Sequence, residues 1–183
     1  MQGLDTQKSV EAHCLFPKIC YDILYVFGAS CLLSLVAQIK IPLFFTPVPL
    51  VLQNSLAVVL GLVLGPRKGA LAVALYLVYG CFGLPVFAGG QHFGLSVLLS
   101  PFSGGYLIGY CAASFTAGKI REHFPTWTFF PVLVGHLIIL TLGTAFLAFT
   151  MGWEQAFLLG FLPFFIPDLV KSFFIFLMLH RHI

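Results

Sequence analysis

The sequence predicts an all-α membrane protein, a bundle of six transmembrane helices around an outward-facing ligand pocket, with both termini cytoplasmic. Three observations lead there. Of the 183 residues, 60% are hydrophobic and only 8% charged, with a mean hydropathy of +1.02, whereas a typical soluble domain is about 25% charged. The charge-free runs are long enough for helical spans, which need about 20 apolar residues. No alternation of the kind that builds a membrane barrel from strands of about ten residues is visible.

The elements follow in order. Residues 1–18 form a polar cytoplasmic segment with Asp5, Lys8, Glu11 and Lys18, and 19–183 form one membrane-embedded substrate-binding domain. The start lacks the basic, apolar, small-residue order of a cleaved signal, so the first apolar segment is expected to stay as a span. That span is "ILYVFGASCLLSLVAQI" (23–39), begun as early as Ile19. The second occupies 41–66, after the extended "IPLFFTPVP", where Pro42, Pro47 and Pro49 make a poor helix interior.

The run 69–118 holds no Asp, Glu, Lys or Arg over 50 residues. One straight helix cannot use that length. The Gly- and Pro-rich "GLPVFAGGQHFG" (83–94) breaks it, which puts spans three and four at about 69–84 and 102–118. Span five lies within 123–153, starting beyond Pro125 or Pro131. Span six lies within 155–180, interrupted by Pro163 and Pro167.

Basic residues set the orientation. Lys8, Lys18, Arg67, Lys68, Lys119, Arg121 and Arg181 fall on one side of this six-span plan, and only Lys40 falls on the other. The positive-inside rule makes the seven-residue side cytoplasmic. The "TPVP" loop, the "GLPVFAGG" loop and the 151–155 turn then face outward. A formal net charge of +3 is too small to suggest nucleic acid as a partner.

Asp168 and Lys171, in "PFFIPDLVKSFFIFLML" (163–179), are the leading site candidates. Charge within a span points to the bundle interior or a wet cavity, and positions i and i+3 share a helix face. An ion pair kept only for stability is poorly rewarded there, because desolvation can outweigh attraction by several kcal/mol for each ion. Pro167 favours the first turn of a helix, which places Asp168 at a helical start after a break, as in the broken helices of transporters.

Gln53, with Asn54 beside it, enters span two from the outward side and reaches toward the same cavity. Phe87, Phe93 and Tyr106, in and after the Gly-rich loop, offer apolar walls. Ser30 and Ser34 form a small-xxx-small pattern that lets another helix approach closely. His136 is expected to be packed and hydrogen-bonded, and His92 and His123 to lie in exposed loops. The five cysteines form no CxxC pair and read as small apolar residues. No P-loop, H-E-x-x-H or G-x-S-x-G motif occurs, and a paired-aspartate protease lacks its second acid. The chain is therefore read as not an enzyme, with no metal or cofactor. Any uphill transport needs an energy source outside it.

Several blocks in one order name a family: "AQIKIPL" (37–43), "TPVPLVLQ" (46–53), "GLVLGPRKGALAVALYLVYG" (61–80), "GLPVFAGG" (83–90), "GGYLIG" (104–109) and "PDLVK" (167–171). The sequence resembles BioY, the substrate-binding S component of biotin transporters of the energy-coupling factor (ECF) type, over residues 23–180. The resemblance implies high-affinity biotin binding and uptake at the cytoplasmic (inner) membrane of a prokaryote. It implies six helices and partnership with a transmembrane T component and two ATP-binding subunits, or action alone.

Substrate binding falls on Asp168, Lys171, Gln53, Phe87, Gln91, Tyr106 and Thr46. The family's alanine motif for T-component docking falls on Ser30 and Ser34, and its "GPTGGY" reads "SPFSGGY" (100–106). The rival readings are an S component for another vitamin, a membrane scaffold without a ligand, and a membrane enzyme.

Overall fold

A computed structural model describes residues 2–41, 44, 48, 50–88 and 94–180, with side chains of the helical ends 2–17 and 180 left aside. The chain is almost wholly helical. Helix α1 runs Gln2–Val36, α2 Gln53–Leu64, α3 Pro66–Cys81, α4 Leu95–Leu99, α5 Gly104–His123, α6 Phe129–Met151, α7 Trp153–Ala156 and α8 Leu162–His180. Between α1 and α2, β1 (Lys40–Ile41) and β2 (Leu50–Val51) pair antiparallel, Lys40 opposite Val51. Pro42, Pro47 and Pro49 of "IPLFFTPVP" lie outside the described residues. The boundary at 18–19 falls inside α1.

Among the described residues, three helices are long and apolar enough to cross a membrane: Lys18–Val36, Phe129–Met151 and the continuous Trp153–Leu179. The other expected spans have helices in the expected places, but these do not meet that measure. Helix α2 has 12 residues and rises only about 18 Å. Strand β2 (Leu50–Val51) stands just ahead of it, where the expected span would already have been helix. Helix α5 has 20 residues but carries Lys119, Arg121 and Glu122 in its last turns.

Helix α5 is central, packing against α2, α3 and α6, while α8 lies on α6 and touches α2, and α1 lies on α3 and α2. Glycine makes the central crossing possible. A Cβ on Gly61 of α2 would run into the Ser114 backbone carbonyl of α5. Gly65 takes φ +84° between α2 and α3, and Pro66 then opens α3 at a position where its missing N–H is not needed.

Span six departs from the sequence-based expectation. The helix does not restart at Pro167. Residues Phe157–Phe161 form a π turn, with Leu162 N–H bonding the Phe157 carbonyl, and α8 continues unbroken past Pro163 and Pro167. The π turn ends just ahead of Pro163, and Pro167 lies in regular α-helix beyond it. Asp168 is thus inside α8 and not at the start of its own helix.

Candidate functional site

The bundle encloses a cavity of about 600 Å³ beside the hairpin, between α2, α5, α6 and α8. Asp168, Lys171, Gln53, Phe87 and Tyr106 all line it. The sequence-predicted residues are thus brought together from four elements separated by more than a hundred positions. The volume falls in the range of about 300–1,000 Å³ usual for small-molecule sites.

Its charged end is built on α8 and the start of α2. Asp168 is 2% exposed. Its Oδ1 accepts from Lys171 Nζ at 2.8 Å and from Asn54 Nδ2 at 3.0 Å. Lys171 Nζ also donates to the Val51 carbonyl at 3.0 Å and to Asn54 Oδ1 at 3.2 Å. An ammonium has three protons, and here three acceptors take them. Asn54 Oδ1 receives the Ser55 N–H as well, at 2.8 Å. The reverse amide orientation would set its NH₂ against both donors. Asp168 Oδ2 is buried and accepts no hydrogen bond from the described residues. A buried carboxylate oxygen left so is costly unless a donor meets it.

Aromatic and amide groups form the walls. Gln53 Oε1 accepts from Tyr76 Oη at 3.0 Å and its Nε2 donates to Tyr110 Oη at 3.1 Å, joining α2, α3 and α5. Gln53 is therefore a brace for the walls. Tyr110 lines the cavity and accepts from Gln53, so its own proton can serve an acceptor in the cavity. The Phe87 ring meets Tyr76 edge-on, centroids 5.6 Å apart, in space that a side chain at Gly80 would fill. Tyr106 fits against Gly143 in the same way, and its Oη donates to the Gly160 carbonyl in the π turn at 2.8 Å. Val48, Leu140 and Phe164 add apolar surface, and Ser96, Ser100 and Lys40 stand on the wall nearer the hairpin and α4.

Comparison with known proteins decides the family. The model of the BioY family matches residues 7–182. The chain belongs to the BioY family. The probable biotin transporter BioY of Pyrococcus horikoshii is 42% identical over 141 residues, 77% of this chain and 83% of that protein. The biotin transporter BioY of Thermotoga maritima is 39% identical over 138 residues, 74% of this chain and 79% of that one. Among solved structures, the S-component for biotin from an ECF-type ABC transporter superposes with a TM-score of 0.79 at 25% identity, covering 90% of this chain and 92% of that one.

The remaining expected residues of this BioY chain are placed unevenly. Thr46 and Gln91, with Phe93 and His92, lie outside the described residues. Ser30 is fully buried, its hydroxyl donating to the Phe27 carbonyl at 2.7 Å, and Ser34 is partly buried, donating to the Ser30 carbonyl at 2.9 Å. Ser30 thus packs within the chain, and Ser34 is the more accessible of the pair. His123 is exposed at the end of α5, and His136 is packed and hydrogen-bonded. Tyr110 is absent from the sequence-based reading, and Asn54 is noted there only beside Gln53 and not assigned to the site. Asn54 is the immediate neighbour of Gln53, but Tyr110 carried no signal beyond being a phenol in a span.

Proposed function

We propose that the chain binds biotin from outside the cell and carries it across the cytoplasmic membrane of a prokaryote as the S component of an ECF-type transporter. The observation that carries this reading is the charged end of the cavity: a buried carboxylate with one oxygen held by Lys171 and Asn54 and the other open to a donor. Biotin's ureido ring offers two N–H donors and one carbonyl acceptor. Asp168 Oδ2 accepts from that ring. Lys171, with its three protons taken, holds Asp168 ionised and leaves the ureido oxygen to another donor, for which the Tyr110 hydroxyl is suited. Phe87 and Tyr106 pack the sulfur-containing ring, and the carboxylate tail points to the mouth.

In this reading six helices cross the membrane, both termini are cytoplasmic and the cavity opens outward, as the distribution of Lys and Arg supports. The chain carries no P-loop, so a T component and two ATP-binding subunits supply the energy for uphill transport. The T component docks on α1, with Ser34 at the contact and Ser30 supporting it from within.

The test is a thermal-shift screen of the purified chain against vitamins. Biotin at about 100 times Kd should stabilise it by about 2.7 kcal/mol, and the other vitamins should leave the midpoint unchanged. Stabilisation by a different vitamin alone overturns the reading.

A further inference from the structure

His136 is 1% exposed and does not line the cavity, yet it sits behind the charged cluster among polar partners from three helices. Its Nε2 is 3.0 Å from Ser55 Oγ of α2. Its Nδ1 is 2.9 Å from Ser172 Oγ of α8 and 3.1 Å from the Val132 carbonyl one turn back in α6.

These partners fix where the ring protons go. The Val132 carbonyl only accepts, so Nδ1 carries a proton. Ser172 spends its one hydroxyl proton on the Asp168 carbonyl at 2.7 Å, so its oxygen receives the same Nδ1–H. Lys171 already supplies the local positive charge, and a second buried cation without a carboxylate of its own would be expensive. The ring is therefore neutral, Nε2 is bare, and the Ser55 hydroxyl donates to it at 3.0 Å in preference to the more distant Asn54 Oδ1 at 3.4 Å.

The two ends of this relay reach the residues that shape the charged end. Ser172 closes on the backbone of Asp168, and Ser55 holds Asn54 Oδ1 through its N–H at 2.8 Å. We propose that His136 is a positioning residue for the ligand: as the neutral Nδ1–H tautomer it ties α2 to α8, so that Asn54 and Lys171 converge on Asp168 Oδ1 and leave Oδ2 to the ligand. For the ligand itself this rests on the biotin reading above.

Two measurements test it. Nitrogen-15 NMR of the intact chain in nanodiscs, with His136 assigned by difference against His136→Gln, should show a proton-bearing Nδ1 and a bare Nε2. A proton on Nε2, or on both nitrogens, overturns the relay. Biotin titration should show Ser55→Ala and Ser172→Ala each weakened about three- to tenfold, the range of one neutral hydrogen bond, although neither side chain lines the cavity. Unchanged affinity in both variants overturns the positioning role. Should the unaltered chain bind no biotin, the ligand assignment has failed, and the nitrogen signals still decide the relay.

Discussion

In the proposed reading, Lys171 matters to the ligand without touching it. Its three donors are committed to Val51, Asn54 and Asp168, so it acts as a clamp that keeps one carboxylate oxygen occupied. Removing it alone strands a buried charge. Lys171→Ala is expected to lower stability by about 3–5 kcal/mol, measured as the denaturation midpoint in detergent. Asp168→Asn combined with Lys171→Met should recover most of that loss while biotin binding stays strongly weakened. Recovery of binding in the double variant would refute the division between clamp and ligand contact. The sequence made this pair legible because charge within an apolar run is costly and is turned toward the bundle interior. It could not show that Lys171 is saturated, since two of its acceptors, Val51 and Asn54, lie over a hundred positions away. Gln53 was legible as a site residue, but its bracing of Tyr76 and Tyr110 was not.

Among the elements, the crossing of α2 and α5 determines whether the cavity keeps its shape. The backbones meet at Gly61 and Ser114, and backbone cannot step aside as a flexible side chain can. Gly61→Val is expected to force the helices apart at a cost of about 1–3 kcal/mol or more. It should lower the melting temperature and reduce biotin binding together, readable in one thermal scan with and without ligand. A wild-type melting curve would show that the crossing is looser than its geometry. At this scale one reading of a proline failed: Pro167 is carried inside α8 and does not restart the helix. A proline removes one N–H and crowds the preceding turn, and whether the helix breaks or widens depends on its neighbours. Here Pro167 stays within regular helix and the π turn falls earlier, ahead of Pro163, which composition does not reveal.

For the molecule as a whole, the central question is which way the bundle faces. Phe44 is fully exposed at the hairpin, and Arg121 is partly buried at the opposite end, in the last turn of α5, where it donates to Thr128 at 2.9 Å. In a background with the five cysteines replaced, Phe44→Cys should react with a membrane-impermeant maleimide in intact cells. Arg121→Cys should react only after permeabilisation. The reverse pattern contradicts cytoplasmic termini. The helical class and the order of the helices were legible because long charge-free runs have little freedom in how they fold. The shortness of α2 was not, because hydropathy counts the hairpin and the helix as one apolar stretch. The cavity follows from packing: five residues singled out from sequence line one space because α5 draws α2, α3 and α6 around it.

The central claim is that the open oxygen of Asp168 grips the ligand, and isothermal titration of biotin into the purified chain and its Asp168→Asn form measures it directly. Truncating a desolvated, charge-assisted contact costs about 2–5 kcal/mol, so the variant should bind at least about thirtyfold more weakly than the unaltered chain, and Gln53→Ala should lose less. Equal affinity in the Asp168→Asn chain would contradict the account.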